Sequence, residues 1–247
     1  MEIKGKTAII TGATGKLTEA IVLALARAGA NCVCIYHQNL AKAKKLQSNL
    51  HRLKIKSLFI QADLAVPENV ENVFADIEKF ARPQILINAA AVFGKQLIKE
   101  TSFEYIRQTF DINFTAAMEM TRKFVELAAA KTRNKQKPIA KIINIADITA
   151  RRPPAGFSIY CASKAALVAA TKSLAKELAP DFTVNAVAPG VISWQKNVTA
   201  EQKKKILAHV PAGRTGAPLE VAEAVKFLIE NDYITGQVIN IDGGRSL

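Results

Sequence analysis

The sequence predicts a single α/β domain with a doubly wound parallel sheet of about seven strands. Short β-branched runs alternate with segments of helical period along all 247 residues. Apolar strands separated by crossover helices favour parallel pairing, with helices covering both sheet faces. No linker, repeat or low-complexity stretch interrupts the pattern. One domain spanning residues 1–247 is therefore expected, and its length suffices for a buried core.

The predicted elements follow one another regularly from the amino terminus. The strand runs, in chain order, are TAIIT (7–11), CVCIY (32–36), SLFIQ (57–61), QILIN (84–88), KIINI (141–145), TVNAV (183–187) and QVINI (237–241). A helix is expected after each of the first five strands, with a long helical stretch around 101–131 and further helices near 200–209 and 218–230. Open sheets of this kind bind ligands outside the carboxyl ends of their strands, so the residues after each strand are the candidates for a site.

The composition excludes several classes of protein. Hydrophobic residues make up 49% of the chain and charged residues 22%, as in globular proteins. No stretch reaches the roughly 18 apolar residues of a membrane span, and the amino-terminal run looks like a first strand and not a signal peptide. The cysteines Cys32, Cys34 and Cys161 show no C-x-x-C spacing. They indicate the reduced thiols of a cytoplasmic protein, without a disulfide framework or a metal site.

The net charge of +13 is the unusual bulk property. A charge of this size can indicate nucleic acid or an anionic membrane surface as a partner. Here the lysines are scattered over separate helices, at 42–45, 131–137 and 203–205, without the interleaved aromatic residues of a single-strand-binding groove. Solvated surface lysines are the favoured interpretation, with part of the charge serving an anionic cofactor. No nucleic-acid or membrane partner is expected.

The ends of the first two strands suggest a dinucleotide site. The first strand leads through TGATGKL (11–17) into a helix, and backbone amides at such a turn can hold a pyrophosphate. A plain strand-to-helix turn would look the same. The end of the second strand, Tyr36-His37-Gln38, has no Asp or Glu for the ribose hydroxyls of NAD. With Lys16 as a countercharge for a 2′-phosphate, the pattern favours NADP(H) over NAD(H).

Polar residues also end the third and fourth predicted strands. Asp63 follows the third strand in QADL, and Asn88 ends the fourth in INAAAVF. Asn113 lies further on, in the FDINFTAA segment of the long helix. Each residue alone could be a helix cap or a hydrogen-bonded core group. Their recurrence at one edge of the sheet predicts a site.

The segment after the fifth strand carries three groups suited to proton transfer. Tyr160 and Lys164 lie four residues apart on one predicted helix, so their side chains face the same way. A cation beside a phenol lowers the pKa of the phenol from about 10 toward the working range. Asp147, thirteen residues before the tyrosine, ends the strand and can approach the same pocket. A proton-transfer site is predicted, although a Tyr and a Lys at this spacing are common on exposed helices.

Taken together, these features resemble the short-chain dehydrogenase/reductase family over essentially the whole chain. The motifs that carry the resemblance are Thr11-Gly12, Asp63, Asn88, Asn113, Tyr160-x-x-x-Lys164, Pro189-Gly190 and the tail ITGQVINIDGG. The resemblance implies a Rossmann-like fold, a nicotinamide cofactor and a homotetramer. It also implies cofactor contacts at Gly12, Lys16, Leu17, Tyr36, His37, Gln38, Asp63, Leu64, Asn88, Ala89, Asn113, Pro189 and Gly190.

One departure from the family pattern is informative. Most members have a Ser thirteen residues before the Tyr, where this chain has Asp147. Asp at this position resembles the pteridine reductases, and so do the Lys16-Leu17 pair and the ending DGGRSL. By this resemblance, Asp147 and Tyr160 form the proton-donating pair. Lys164 would bind the nicotinamide ribose and lower the pKa of Tyr160.

The same resemblance implies substrate-binding residues. Phe93 would stack on the pterin ring opposite the nicotinamide, and Trp194 would close the pocket. Either residue could instead belong to the core, because aromatic side chains pack more often than they bind. Two positions depart from the pattern: Thr18 replaces a Gly of the first turn, and Ala89 replaces the second Asn of N-N-A-G. Both bear on cofactor affinity, and neither removes a catalytic group.

The sequence thus predicts an NADPH-dependent pteridine reductase acting on dihydropterins or dihydrofolate. Reducing a ring C=N bond needs a proton at nitrogen, which a carboxylic acid can supply, and no Ser to hold a carbonyl oxygen. The first alternative is a carbonyl reductase of the 3-oxoacyl-carrier-protein type, whose acidic carrier the +13 charge would suit. The absent Ser counts against it. The second is a non-catalytic NADP-binding protein, and the intact Tyr160/Lys164 pair counts against that.

Overall fold

A computed structural model describes residues 1–129, 139–194 and 198–247 of the chain. Seven parallel strands form one sheet in the order β3-β2-β1-β4-β5-β6-β7. The strands are β1 Thr7–Thr11, β2 Asn31–Tyr36, β3 Ser57–Gln61, β4 Ile85–Asn88, β5 Ala140–Ile145, β6 Phe182–Pro189 and β7 Val238–Ile241. The predicted Rossmann-like, doubly wound parallel sheet is confirmed.

The described part of the chain contains eight α-helices. They are α1 Lys16–Arg27, α2 Leu40–Arg52, α3 Pro67–Phe80, α4 Phe103–Phe110, α5 Ala116–Ala129, α6 Ser158–Glu177, α7 Ala200–Leu207 and α8 Pro218–Glu230. Short 3₁₀ turns precede α4 and α6, at Ile98–Glu100 and Ile148–Ala150. The helix predicted near 218–230 has these bounds, and the one predicted near 200–209 ends at Leu207.

Helices cover both faces of the sheet. α1, α2 and α8 pack on the face that includes Ile10 and Ile143, and α3, α5 and α6 pack on the face that includes Ile9 and Ile142. Successive strand residues point to opposite faces, so a strand between two helical layers is largely apolar along its length. β1, β4 and β5 are accordingly buried along their whole length.

Three bulk expectations can be compared with the structure. The three cysteines are free and buried. No helix in the described ranges is long and apolar enough to cross a membrane. Within the same ranges, no cluster of three or more His, Cys, Asp or Glu side chains could hold a metal ion.

The long helix predicted around 101–131 is broken in the structure. α4 and α5 are separated by a π-helical turn at Asp111–Thr115, which inserts an extra residue into the helical repeat. The turn carries Asn113, whose side chain bonds the loop after β4. Hydrophobic periodicity does not reveal an inserted residue, so the sequence does not predict this break. The end of the predicted helix and the lysine run at 131–137 lie outside the described residues.

The strand order reverses between β1 and β4, which are neighbours in the sheet: the chain proceeds from β1 to β3 toward one edge and from β4 to β7 toward the other. Their carboxyl ends meet at Thr11, whose Oγ1 accepts hydrogen bonds from the Ala89 and Ala90 N–H groups, both at 2.9 Å. Gly12 has a φ of +65°, and a Cβ there would lie 2.9 Å from the Ala90 Cα. Glycine permits this close approach. A crevice at such a switch point is where sheets of this type bind ligands.

Candidate active site

The predicted catalytic residues meet at the carboxyl end of β5. Tyr160 and Lys164 lie in the first two turns of α6, and Asp147 caps the 3₁₀ turn that follows β5. The Tyr160 hydroxyl donates to Asp147 Oδ2 at 2.8 Å. The other carboxylate oxygen, Oδ1, accepts from the Thr149 backbone N–H at 2.8 Å. Two donors therefore hold the carboxylate, and the phenol proton points at it.

Lys164 is buried, and none of the described carboxylates hydrogen-bonds its ammonium group. Its side chain is 3% exposed, and Nζ donates to the Ile145 carbonyl oxygen at 2.8 Å. Burial lowers the pKa of Lys164 to about 8, although the negative charge of Asp147 acts in the opposite direction. The ammonium nitrogen lies 6.0 Å from the centroid of the Tyr160 ring. A group with this pKa exchanges protons readily near neutral pH.

The pKa of Tyr160 is raised, and the predicted lowering is wrong for this arrangement. Burial is the main cause, and the charge and hydrogen bond of Asp147 add to it. The prediction assumed that Lys164 lies against the phenol, but its Nζ is directed to the Ile145 carbonyl. Tyr160 therefore retains its proton, which it donates to Asp147 Oδ2.

Asn113 connects the π turn to the loop after β4. Its Oδ1 accepts from the Val92 N–H at 2.8 Å, and its Nδ2 donates to the Val92 carbonyl at 3.1 Å. Nδ2 also donates at 3.0 Å to Ser163 Oγ, on α6 one residue before Lys164. The Asn113 side chain is buried. It therefore fixes the backbone next to Phe93 relative to α6.

Phe93 lies over the catalytic pair and does not belong to the core. Its ring is perpendicular to the Tyr160 ring, with centroids 4.7 Å apart, and it stacks on Phe157 at 5.2 Å. Phe93 is 50% exposed, so ring surface remains accessible to a ligand. Phe157 is absent from the predicted site. The signal for it was an aromatic residue three before the tyrosine, at the start of α6.

The turn after β1 offers unpaired backbone amides to an anion. Gly15 precedes α1 in an extended conformation, and no side-chain hydrogen bond caps the helix. Lys16 is exposed beside these amides, Leu17 is half-buried and Thr18 is buried. A helix amino terminus of this kind is suited to a pyrophosphate. A Cβ at Gly15 would lie 3.3 Å from Thr18 Oγ1. The absence of a side chain at Gly15 therefore makes room for the Thr18 hydroxyl.

At the ends of β2 and β3, His37 faces Asp63. His37 Nε2 lies 3.7 Å from Asp63 Oδ2, and both side chains are exposed. Asp63 Oδ1 also accepts from the Ala65 N–H at 3.0 Å. Three further predicted cofactor contacts adjoin this pair: the buried Tyr36 and Leu64 and the exposed Gln38. The end of β2 lacks an acidic residue, but Asp63, two residues after the neighbouring strand β3, lies beside it.

Asn88 lies below the edge of the sheet, in the core. Its Nδ2 donates to Asn144 Oδ1 at 2.9 Å and to Thr121 Oγ1 at 3.1 Å. The amide is oriented by these acceptors, and its Oδ1 has no hydrogen-bond partner among the described residues. Asn88 thus joins β4 to β5 and α5, and the half-buried Ala89 follows it toward the edge.

The end of β6 packs against the carboxyl-terminal turn. Pro189 ends the strand, and a Cβ at the next residue, Gly190, would lie 2.7 Å from Asp242 Cβ. Trp194 is half-buried, and its ring centroid lies 5.8 Å from Lys203 Nζ on α7. Trp194 therefore lies against the helix that follows it, and no described ring contact joins it to the catalytic residues.

These features together define a class of protein. A doubly wound sheet with a glycine turn and free helix amides at its switch point is suited to a dinucleotide. A Tyr–Asp pair with a buried lysine beside it is suited to proton transfer. The class is a nucleotide-dependent oxidoreductase.

Comparison with known proteins extends this assignment. The family model described as enoyl-(acyl carrier protein) reductase matches residues 12–246. A 3-oxoacyl-[acyl-carrier-protein] reductase from Synechocystis sp. is 33% identical over 98% of this chain and 97% of its own. The corresponding FabG enzyme of Rickettsia bellii is 34% identical over 99% and 98%. The chain belongs to the short-chain dehydrogenase/reductase family.

Solved structures agree with the fold over the whole chain. A doubly substituted mutant of a Serratia marcescens short-chain dehydrogenase/reductase has a TM-score of 0.91 at 27% identity, covering 100% of both chains. A blue fluorescent protein from a metagenomic library, in complex with NADPH, has a TM-score of 0.89 at 29% identity, also covering 100% of both. The two curated relatives are named for 3-oxoacyl reduction and not for pterins, so the likeness to pteridine reductases stays a prediction.

Proposed function

We propose that this protein is an NADPH-dependent reductase of a ring C=N bond in a dihydropterin or dihydrofolate. The observation that carries the proposal is the hydrogen bond from the Tyr160 hydroxyl to Asp147 Oδ2 at 2.8 Å. It pairs the proton donor with a carboxylate, at the position where most family members have a Ser hydroxyl. The substrate should therefore be one that needs a proton at nitrogen and no hydroxyl donor at oxygen.

The chemistry of the two reductions separates them. Carbonyl reduction develops negative charge on oxygen, which a hydroxyl would stabilise and the Asp147 carboxylate would repel. Reduction of C=N adds a hydride to carbon and a proton to nitrogen, which becomes N–H. We propose that the Tyr160 hydroxyl, which is paired with Asp147 Oδ2, delivers the proton to that nitrogen. We propose that the positive charge of Lys164, whose Nζ lies 6.0 Å from the centroid of the Tyr160 ring, stabilises the phenolate that remains at this longer range.

The aromatic residues above this pair fit a planar substrate. Phe93 is half exposed, and the stacked ring of Phe157 supports it from one side. Stacking on a supported ring favours flat heterocycles such as pterins over flexible acyl chains. A thioester substrate would leave the accessible surface of Phe93 without a matching group.

NADPH supplies the hydride when it is bound. We propose that its pyrophosphate binds the free amides of α1 beside Gly12, and that Lys16 supplies a positive charge for its 2′-phosphate. We propose that Lys164, whose Nζ donates to the last carbonyl of β5, contacts the nicotinamide ribose, as the family resemblance implies. Support for this cofactor comes from the NADPH complex of the structural neighbour that is 29% identical.

A 3-oxoacyl-carrier-protein reductase is the second candidate. The matched family model and the relatives from Synechocystis and Rickettsia favour it more than they favour a pterin substrate. The net charge of +13 also suits an acidic carrier protein. Relatives at this level of identity can differ in substrate, and Asp147 is a direct chemical difference at the reacting end of the site. We therefore rank the pterin substrate first.

The test is NADPH oxidation by the purified protein with dihydrobiopterin, dihydrofolate and acetoacetyl-CoA in parallel. Turnover of a pterin or folate that is lost in Tyr160→Phe supports the proposal. Turnover of acetoacetyl-CoA alone would establish the second candidate. Absence of turnover with all three, while NADPH still binds, would indicate the non-catalytic NADP-binding alternative or a different substrate.

Asp147→Ser separates the two enzymatic candidates. The substitution should reduce pterin turnover strongly, because Tyr160 loses its partner. In a carbonyl reductase the same substitution restores a hydroxyl donor and should leave activity unchanged or raise it. Asp147→Asn, which keeps the shape of the side chain without its charge, is the matched control.

We also propose a homotetrameric assembly in the cytoplasm. Large apolar side chains are exposed on the described surface, including Phe103 on α4, Phe227 on α8 and Tyr233 just after it. Exposed apolar side chains on two separate helices are consistent with more than one subunit contact. Light scattering after size-exclusion chromatography would give the assembly size directly.

A further inference from the structure

We propose that Tyr105 is a positioning residue that holds the ring of Phe93 over Tyr160 and so favours substrates with a flat ring. The inference rests on the proposed function in one respect, which is that the substrate ring stacks on Phe93. Tyr105 lies in the first turn of α4, and Phe93 lies in the loop that joins β4 to that helix. No described hydrogen bond or ring contact joins Tyr105 to the Tyr–Asp pair or to Lys164, so it can act on the reaction only through the loop.

The Tyr105 hydroxyl bonds the loop directly beside Phe93. It donates to the Gly94 carbonyl oxygen at 3.1 Å. A Cβ at Gly94 would lie 3.1 Å from the same hydroxyl oxygen, so the glycine leaves room for this approach. In the part of the chain that the structure describes, this is the only hydrogen bond that residues 93–95 form.

The backbone of Tyr105 is itself fixed at the start of α4. Its N–H donates to Ser102 Oγ at 3.1 Å, and its carbonyl accepts from Thr109 Oγ1 at 2.8 Å. Ser102 is the amino-terminal cap of the helix, and Thr109 is buried. The helix therefore provides a fixed base from which the half-buried Tyr105 side chain reaches the loop.

A second tether holds the other neighbour of Phe93. Asn113 bonds both the N–H and the carbonyl of Val92. Eight residues of regular α-helix would place Asn113 about 80° from Tyr105 around the helix axis. The π turn, which begins at Asp111, reduces this angle because it contains more residues per turn. The break in the helix thus helps both side chains to reach the same loop, and Phe93 lies between the two bonded residues.

The position of Phe93 depends on these tethers because its ring is only partly buried. The side chain is 50% exposed, and a segment with few buried contacts is ordered mainly by its hydrogen bonds. Beyond the Tyr105 hydroxyl, the next bond along the loop is from the Gln96 N–H to the Gly156 carbonyl, at 2.7 Å. A ring that is already in place costs less to stack against than one that must first be ordered. A flat substrate gains from this order, whereas a flexible acyl chain adapts to a displaced ring.

The experiment is a double-mutant cycle between Tyr105→Phe and Phe93→Leu, with KM and kcat measured for whichever of dihydrobiopterin and dihydrofolate turns over. Tyr105→Phe should raise KM roughly two- to tenfold, the value of one hydrogen bond, and leave kcat within about twofold. In the Phe93→Leu background the same substitution should leave KM unchanged, because Tyr105 acts through the ring. Tyr233→Phe, which removes a hydroxyl from a fully exposed tyrosine after α8, is the matched control.

A general structural role for Tyr105 would give different results. Tyr105→Phe would then change KM by the same factor with and without the Phe93 ring, and this additivity would overturn the inference. An unchanged KM in Tyr105→Phe, or a fall in kcat alone, would also overturn it. A lower free energy of unfolding in urea would not by itself count for or against it, so the cycle on KM is the deciding measurement.

Failure of the proposed function is distinguishable from failure of this inference. If no pterin or folate turns over, the proposed function is wrong, and the same four proteins are compared by calorimetric binding of biopterin to the NADP⁺ complex. A loss of affinity in Tyr105→Phe that disappears in the Phe93→Leu background would retain the inference. Additive losses, or no binding of biopterin to wild type, would overturn it.

Discussion

Two buried lysines lie at opposite ends of β5, and their surroundings differ. At the amino end, Lys141 is fully buried, and its Nζ lies 2.8 Å from Asp232 Oδ1. It also donates at 2.8 Å to the Asn231 carbonyl, just after α8, where the helix dipole favours a cation. At the carboxyl end, Lys164 donates to the Ile145 carbonyl and has no hydrogen bond to a described carboxylate.

This difference shows what each cation does in the fold. Burial lowers the pKa of both lysines. For Lys141 the hydrogen bond and charge of Asp232 offset part of this effect, and the ion pair joins β5 to the segment after α8. Lys164 keeps a charge that is compensated only through Asp147 at longer range. The first lysine should therefore control the free energy of unfolding, and the second should control turnover.

The largest expected effect comes from Lys164→Met. Turnover should fall by roughly 10²–10⁴-fold, because the phenolate of Tyr160 loses the cation that stabilises it. The free energy of unfolding should stay the same or increase, because the lost charge had no carboxylate bonded to it. NADPH oxidation and urea denaturation measure the two quantities. A variant that keeps more than about a tenth of wild-type turnover would show that Lys164 is structural.

The opposite result is expected for Lys141→Met. Breaking a buried ion pair costs about 3–5 kcal/mol, but the Asp232 side chain is 31% exposed and can be rehydrated. We therefore expect a loss of about 2 kcal/mol in the free energy of unfolding, with kcat unchanged. Asp232→Asn is the control, because it leaves Lys141 buried without a carboxylate and should cost at least as much. An unfolding free energy equal to that of wild type would contradict the assignment.

The pH dependence should separate the two lysines further. The pKa of Lys164 is lowered from 10.5 to about 8 in the folded state. Between these values the unfolded state binds the proton and the folded state does not, so this group makes stability rise with pH in that window. Turnover should fall as pH rises through about 8, because the ammonium group is lost.

The measurements for this prediction are a kcat profile and urea denaturation from roughly pH 7 upward, through the window between the two pKa values of about 8 and 10.5. The falling limb near pH 8 should persist in Lys141→Met. The difference in unfolding free energy between wild type and Lys164→Met should shift in favour of wild type as pH rises through the same window. If the falling limb of the kcat profile moves in Lys141→Met, the titrating group is Lys141 and not Lys164, and the prediction is wrong.

Much of the fold and part of the site could be predicted from sequence. Seven largely apolar runs separated by helical segments specify a parallel sheet, because a strand buried on both faces does not alternate between polar and apolar residues. Tyr160, Lys164 and Asp147 could be placed together because the carboxyl ends of parallel strands share one edge. These predictions depend on the hydrophobic pattern of each segment and on the common direction of the strands, and both can be inferred from the sequence.

The remaining features depend on tertiary contacts that leave no periodic signal. The π turn at Asn113 follows from its bonds to Val92 and Ser163, which are distant in sequence. The direction of the Tyr160 pKa shift depends on where the Lys164 ammonium points, and its hydrogen bond to Ile145 was not apparent from the i, i+4 spacing. Lys141 lies inside an apolar run of the sequence, and nothing in that run indicates that its ion-pair partner is Asp232, just after α8.

The smallest effect should come from Phe157→Leu, which removes the ring behind Phe93 and touches neither lysine. KM for a pterin should rise roughly two- to tenfold, the value of one aromatic stacking contact. The fall of kcat as pH rises through about 8 should stay at the same pH, because the substitution leaves Lys164 and its carbonyl acceptor in place. Phe103→Leu is the matched control, because that ring is 80% exposed on α4 and has no described ring contact.

A fall in kcat without a change in KM would contradict this prediction, because it would mean that the stacked rings hold Tyr160 and not the substrate. Phe93 contacts the Tyr160 ring edge-on at 4.7 Å, so the contact needed for that outcome exists. If the substitution changes KM, Phe93 and Phe157 bind the substrate. If it changes kcat, they act with Lys164 among the groups that control turnover.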